Sequence, residues 1–231
     1  GIHGLNFNDN TYFLNFSTSA EPDLPAMLLS VYPEVPGLDI ESEVLSSTIQ
    51  SDQAYIYGSP LDMKRTVRGT LPLGQDRYTI KGSIPDPALF IAFHLRESFT
   101  KAGIPSKGYT AEGELFREPI TYNKLATTES IPLSEMVKHI NKQSDNLMAD
   151  GLLVQLGAKK GDPSIEGGLK ALEEYLKKIW GQEATFFAYD GSGLSRFTAV
   201  SSEQLAQLLV SMRNSDVQKK YLLAVLPEEG N

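Results

Sequence analysis

A serine and an asparagine two residues apart, Ser144 and Asn146, stand directly before an apolar helical stretch in the segment NKQSDNLMADGLL (141–153). At a helix entrance both side chains can face a cleft, where a hydroxyl relays a proton and a carboxamide binds a peptide through its C=O and NH2 groups. A structural interpretation is also open, because a Ser144 N-cap and Asp145 in the first turn would both stabilise the helix. Capping explains Ser144 and Asp145, but it does not require Asn146.

A glycine-serine loop, Asp190-Gly191-Ser192-Gly193, follows the short apolar run ATFFAYD (184–190), which we predict to be a buried strand. Such loops can bind phosphate at the start of a helix. The G-x-x-x-x-G-K pattern is missing, however, and Arg196 is the only basic residue nearby. We therefore expect a tight structural turn beside the candidate cleft.

Composition excludes several kinds of site and partner. The 231 residues are 41% hydrophobic and 22% charged, which is ordinary for a globular protein. The chain has no cysteine, and its 3 histidines lack ligand spacing, so we expect no metal and no cofactor. A net charge of -8 argues against a nucleic-acid partner. No apolar stretch approaches the roughly 18 residues that span a bilayer, so we predict no transmembrane segment.

The elements that must position these residues fall into two segments. Residues 1–83 are rich in β-strand patterns, and residues 84–231 are mainly helical. The alternating stretch KRTVRGTL (64–71) and the following RYTIKG (77–82) are predicted to form a hairpin with one solvated face. Further strands are predicted at 11–17, 27–32 and 53–58.

Capping signals define the helices of the second segment. A helix over 87–102 is predicted from three signals: Asp86 as its cap, Pro87 at its first position and Gly103 past its end. Ser201 and Gln204 form a capping box that starts another. Apolar spacing predicts three more helices: one over 132–142, one that begins directly after Ser144, and one over 165–179. A last helix is expected from Ser215 to before Pro227. Strand pieces are expected up to about residue 129.

Two long stretches carry a family resemblance. The segments LATTESIPLSEMVKHINKQSDNLMADGLL (125–153) and YDGSGLSRFTAVSSEQLAQLL (189–209) resemble the D-alanyl-D-alanine carboxypeptidase/endopeptidases of the class C, low-molecular-mass penicillin-binding protein family. S-D-N is one of three elements of penicillin-recognising serine enzymes, with S-x-x-K and K-T-G. NFNDNTYFLNF, VPGL (35–38) and IPDPALFIAFHLRESFTKAGI look like the large insertion of that family and its return helix. The resemblance covers most of the chain, in the order of the family.

The resemblance implies an α+β, multidomain fold, with a β-rich insertion domain (1–83) joined to part of a penicillin-binding, transpeptidase-like α/β domain (84–231). It implies a serine D,D-peptidase of the periplasm or cell envelope that cleaves D-Ala-D-Ala, or the D,D cross-link, in peptidoglycan stem peptides through an acyl-enzyme. β-Lactams would be inhibitors of the full-length enzyme. Ser144 would be the proton-relay serine and Asn146 would bind the substrate backbone, whereas Asp145 receives no catalytic role.

The other two family elements are expected outside the chain, S-x-x-K before Gly1 and K-T-G beyond Asn231. The one S-x-x-K present, Ser98 to Lys101, lies at a helix end, where we expect a solvated face. Catalytic residues act as a unit, so the 231-residue piece alone is predicted to be inactive. A non-catalytic envelope module that binds peptidoglycan or a protein partner is the alternative. An S-D-N β-lactamase is disfavoured by the long β segment and by D-G-S-G-L-S-R.

Overall fold

The computed structural model describes residues 2–106, 108–109, 124, 126–182, 185–216 and 218–219. Contacts divide the chain into two compact units, one holding the described residues from His3 up to 109 and the other holding Ile2 and those from 124 onward. In the described part of the chain, no helix is long and apolar enough to cross a membrane.

The first unit contains two three-stranded sheets and one helix. One sheet has the strand order β2-β1-β6 and is antiparallel, and the other has the order β3-β5-β4, in which β3 and β5 run parallel. A short 3-10 turn, Asn8–Asn10, precedes the first strand. The elements are β1 (Thr11–Ser17), β2 (Met27–Tyr32), β3 (Asp39–Ser47), β4 (Tyr55–Tyr57), β5 (Lys64–Pro72), β6 (Tyr78–Ser83) and α1 (Pro87–Lys101).

The predicted hairpin of residues 64–71 with 77–82 is wrong. β5 pairs with β3 and β4, whereas β6 pairs with β1 in the other sheet. The connection crosses between sheets because Gly74 and Gln75 bond to the end of β1, where the Gly74 N–H donates to Ser19 O at 2.8 Å and Gln75 O accepts from Thr18 N at 2.9 Å. The predicted alternation holds within β5, since Val67 and Leu71 are buried and Arg68 is exposed.

Strands and helix share one hydrophobic core in this unit. Tyr12, Leu14 and Phe16 point inward from β1, as the two-residue period of a strand requires, and they are fully buried. Phe90 of α1 belongs to the same cluster. α1 therefore packs with the strands, while the predicted domain boundary between residues 83 and 84 stays a prediction.

The second unit is helical. Its elements are α2 (Leu133–Gln143), α3 (Asn146–Ala158), α4 (Ile165–Trp180) and α5 (Ser202–Asn214). Glycines let α3 and α4 approach closely, because a Cβ on Gly168 would overlap the Leu153 carbonyl and one on Gly157 would overlap the start of α4. Leu153 of α3 and Leu176 of α4 are both buried, and Leu153 contacts α4 at Gly168.

The five helices predicted before residue 214 are confirmed, their predicted bounds correct within one or two residues, and so are the Asp86 cap and the Ser201–Gln204 capping box. The strands at 11–17, 27–32 and 53–58 are confirmed as β1, β2 and β4. The last helix, from Ser215, and the strand pieces before 129 lie largely outside the described residues. β3 was not predicted.

Candidate active site

The junction between α2 and α3 places Ser144 in a left-handed turn. Ser144 has φ 56° and ψ 45°, and its N–H donates to Ile140 O at the end of α2. The Asp145 N–H donates to the same carbonyl at 3.2 Å, which closes the helix with a Schellman-type turn. A serine in this conformation is strained by roughly 1 kcal/mol relative to glycine, and such strain is often stored at functional positions.

The predicted N-cap role of Ser144 is wrong, because Asp145 caps α3 instead. Its Oδ1 accepts from the Met148 N–H at 2.9 Å. Its Oδ2 lies 3.3 Å from Nε2 of His139, on the last turns of α2. Both carboxylate oxygens of Asp145 are therefore committed to the helix junction.

Ser144 and Asn146 are left available for a ligand. The Ser144 side chain is exposed, and Asn146, the first residue of α3, is half-buried. Neither the hydroxyl nor the carboxamide has a hydrogen-bond partner among the described residues. The junction thus fixes the backbone of both residues through Asp145 while it leaves their functional groups uncommitted.

The glycine-serine loop is attached to α3 by Asp150, which sequence reasoning missed. Asp150 Oδ1 accepts from the N–H groups of Gly191 at 2.8 Å and Ser192 at 3.0 Å. Asp150 lies four residues after Asn146, so both project from one face of α3. That spacing, an acid one turn after the asparagine, was the signal available in the sequence.

The loop is folded tightly on itself as well. Asp190 Oδ1 accepts from the Gly193 N–H at 2.9 Å, and Asp190 Oδ2 accepts from the Ser195 N–H at 2.8 Å. A Cβ on Gly191 would lie 2.7 Å from the Ala149 carbonyl oxygen, so only glycine fits against α3 there. Because these N–H groups already donate hydrogen bonds to carboxylates, the structure favours the predicted structural turn over a phosphate site.

The predicted buried strand before the loop is wrong for its described part. Phe187 makes only an isolated antiparallel bridge with Ala199, the two residues exchanging N–H···O bonds of 3.1 and 2.8 Å. Phe187 and Tyr189 are more than half exposed. Phe186 meets the Trp180 ring edge to face, with the ring centroids 5.5 Å apart. The aromatic residues gave this stretch the composition of a core strand, but the bridge between Phe187 and Ala199 only closes the two ends of a loop.

The lone S-x-x-K behaves as the exposed end of α1. The Ser98 hydroxyl donates to the His94 carbonyl at 2.9 Å, and Lys101 occupies the last helical turn. Ser98 and Lys101 are both exposed. This confirms the expected solvated face.

The fold is similar to that of about half of a solved penicillin-binding protein. Penicillin-binding protein 4 (dacB) from Haemophilus influenzae matches with a TM-score of 0.76 at 20% identity, over 95% of this chain and 48% of that chain. The same protein complexed with a novel β-lactam matches with a TM-score of 0.70 at 18% identity, over 94% of this chain and 50% of that chain. These matches confirm the predicted α+β class.

The chain belongs to the D-Ala-D-Ala carboxypeptidase 3 (S13) family, which matches residues 2–231 and confirms the predicted family. A D-alanyl-D-alanine carboxypeptidase of Actinomadura sp. (strain R39) is 28% identical over 144 residues, 62% of this chain and 27% of the relative. DacB of Haemophilus influenzae (strain ATCC 51907 / DSM 11121 / KW20 / Rd) is 25% identical over 166 residues, 71% of this chain and 34% of the relative. The matched regions span about a quarter to a third of the length of these curated relatives.

Proposed function

We propose that Ser144 and Asn146 form one wall of the active site of a serine D,D-peptidase. Its substrates would be peptidoglycan stem peptides, cut at the D-Ala-D-Ala bond or at the D,D cross-link. The observation that supports this proposal is the α2–α3 junction, where a strained serine and a neighbouring asparagine hold a hydroxyl and a carboxamide without partners among the described residues. Membership of a D-Ala-D-Ala carboxypeptidase family supplies the reaction class.

In the proposed reaction, a serine of an S-x-x-K element attacks the carbonyl of the scissile bond and an acyl-enzyme forms. The C–N bond breaks only if the leaving nitrogen gains a proton. The Ser144 hydroxyl would pass on to that nitrogen the proton that the nucleophilic serine loses through the lysine of S-x-x-K, and water would later hydrolyse the acyl-enzyme. The Asn146 carboxamide would donate to a substrate carbonyl and accept from a substrate N–H, which holds the peptide extended.

Asp150 and Asp145 would act as positioning residues. Asp145 fixes the strained turn at Ser144, and Asp150 fixes the glycine-serine loop one helical turn from Asn146. The proposed enzyme would work in the periplasm or elsewhere in the cell envelope, where its substrate occurs. β-Lactams would acylate the nucleophile of the complete protein.

The 231-residue chain alone should not react with benzylpenicillin, because the S-x-x-K at Ser98 is an exposed helix end. Intact-mass analysis after incubation should show no adduct, and an adduct on Ser98 would overturn this assignment. The complete protein should release D-alanine from a peptide that ends in D-Ala-D-Ala. Absence of both D-alanine release and penicillin acylation in the complete protein would refute the proposed function.

A further inference from the structure

A cleft of about 610 Å³ lies in the first unit between β4 and β6. Small-ligand sites have volumes of roughly 300–1,000 Å³. β4 is an edge strand of one sheet and β6 is an edge strand of the other. On its outer side, each edge strand has backbone N–H and C=O groups that no other strand of these sheets pairs. Extended peptides bind to such an edge by adding as a further strand.

A buried cation lines this cleft. Arg65 on β5 is only 6% exposed, and its Nη1 donates to the carbonyl oxygens of Asp62 and, at 2.9 Å, Lys64. Within the described residues, no carboxylate lies within 4.0 Å of its guanidinium. Arginine is rarely buried without an anionic partner, because removing its charge from water is costly.

The contrast with Arg68, three residues along the same strand, makes this unusual. Arg68 lies on the solvated face and is paired with Glu43, its Nε 2.7 Å from the Glu43 carboxylate. Arg68 is 60% exposed and would be hydrated without its partner. Arg65 is buried and has no such partner among the described residues.

The cleft is built around Arg65. A Cβ on Gly58 would overlap the Arg65 guanidinium, so glycine leaves room for that group in its present position, and a Cβ on Gly82 would overlap the buried Tyr12 ring. Lys81 adds a second cation to the lining, and the described residues that line the cleft include no aspartate or glutamate. Ile56, Leu61 and Ile84 supply apolar wall between the two strands.

We propose that this cleft binds a short peptide that carries a free carboxylate, with the carboxylate on Arg65 and Lys81. A guanidinium accepts a carboxylate in a two-point, planar arrangement. The edge strands would hold the peptide backbone, and the apolar wall would contact a small side chain. The proposal is independent of the proposed peptidase function, because it uses only residues of the first unit.

The experiment is an NMR titration of the 231-residue chain with matched probes. The probes are acetyl-Ala-Ala-Ala with a free carboxylate, the same peptide with a C-terminal amide, and inorganic phosphate, each to about 20 mM, enough to detect millimolar binding. The free acid should shift the amide signals of Gly58 and Ser83 and the Nε–H signal of Arg65. The amide should bind at least about tenfold more weakly, as expected for the loss of a charge-assisted pair.

Variants separate the cleft from general basicity. Arg65→Met should abolish binding of the free acid, whereas Arg68→Met, on the solvated face of the same strand, should leave it unchanged. If Arg65→Met fails to fold, Lys81→Met, at an exposed position, should weaken binding several-fold. Equal binding of acid and amide, equal effects of Arg65→Met and Arg68→Met, phosphate binding as tight as that of the peptide, or no shifts at all would each overturn the proposal. Penicillin acylation of the complete protein should not depend on Arg65, which keeps this test apart from that of the peptidase function.

Discussion

Replacing Asp150 with alanine should loosen the glycine-serine loop from α3. The wild-type carboxylate accepts two N–H groups, those of Gly191 and Ser192. A hydrogen bond to a charged group contributes roughly 1.5–3 kcal/mol when buried. Gly191 is exposed and Asp150 is half-buried, so water replaces part of each bond.

We therefore expect Asp150→Ala to lower the unfolding free energy of the second unit by about 1–2 kcal/mol. This net value already subtracts the roughly 0.5 kcal/mol that alanine gains through its higher helix propensity. Asp150→Asn keeps the accepting Oδ1 and loses only the charge, so its effect should be about half as large. Glu173→Ala is the matched control. It removes the solvent-accessible i, i+4 pair between exposed Glu173 and half-buried Lys177, which contributes about 0.5 kcal/mol or less.

The assay combines urea unfolding with amide hydrogen exchange read at individual residues. Exchange at Gly191 and Ser192 should accelerate in Asp150→Ala, while amides in the middle of α4 should change only as much as global stability does. If exchange at Gly191 and Ser192 is unchanged, or if Asp150→Ala and Glu173→Ala have the same effect, then Asp150 does not hold the loop.

Three further changes test the same structure. Ser144→Gly should raise stability by about 0.5–1 kcal/mol in urea unfolding, because glycine adopts the left-handed conformation without strain, and a loss of stability would contradict the assigned turn. Asp145→Ala should lower stability by about 1 kcal/mol through loss of the α3 cap, with Asp145→Asn much milder; equal losses would show that the cap is unimportant. Burial raises the pKa of Tyr12, against the smaller opposing effect of Arg65, so stability should fall as pH rises above about 10, where tyrosine ionises in the unfolded chain. Tyr12→Phe should reduce that fall in pH-dependent unfolding, and an identical pH profile would refute the assigned burial effect.

Local signals in the sequence predicted the helices well. Asp86 and Ser201 accept hydrogen bonds from N–H groups that a helix leaves unpaired in its first turn. In both caps the donor lies three residues after the acceptor. The alternation in β5 likewise reports which face is buried. These patterns depend only on nearby residues, so the sequence alone was sufficient.

The pairing of strands that are distant in the sequence was harder to predict. β3 was missed because acids and serines give its sequence, DIESEVLSS, a weak strand propensity. Its acids are satisfied across the sheet, where Glu41 pairs with Lys64 and Glu43 with Arg68. The partner of β6 could not be deduced either, because the turn before it is set by hydrogen bonds to Thr18 and Ser19, more than 50 residues earlier.

At the candidate site, the sequence indicated Ser144 and Asn146 but not the residues that hold them. Serine and aspartate are about equally good caps, so the preference for Asp145 depends on the left-handed turn at Ser144. The spacing from Asn146 marks Asp150 as a candidate, but no local pattern shows that it binds a loop about 40 residues away. Only the packed structure brings these parts together.

The central claim is that Asn146 binds substrate, and acylation of the complete protein by a fluorescent penicillin tests it most directly. Asn146→Ala should slow acylation tenfold or more, since loss of one positioned hydrogen-bonding group in an active site is typically worth at least about that much. Asn141→Ala removes an exposed amide of α2 whose one side-chain hydrogen bond among the described residues is to Val137 O, and it should leave the rate unchanged. Equal acylation rates for the two variants, with both proteins folded, would remove Asn146 from the active site.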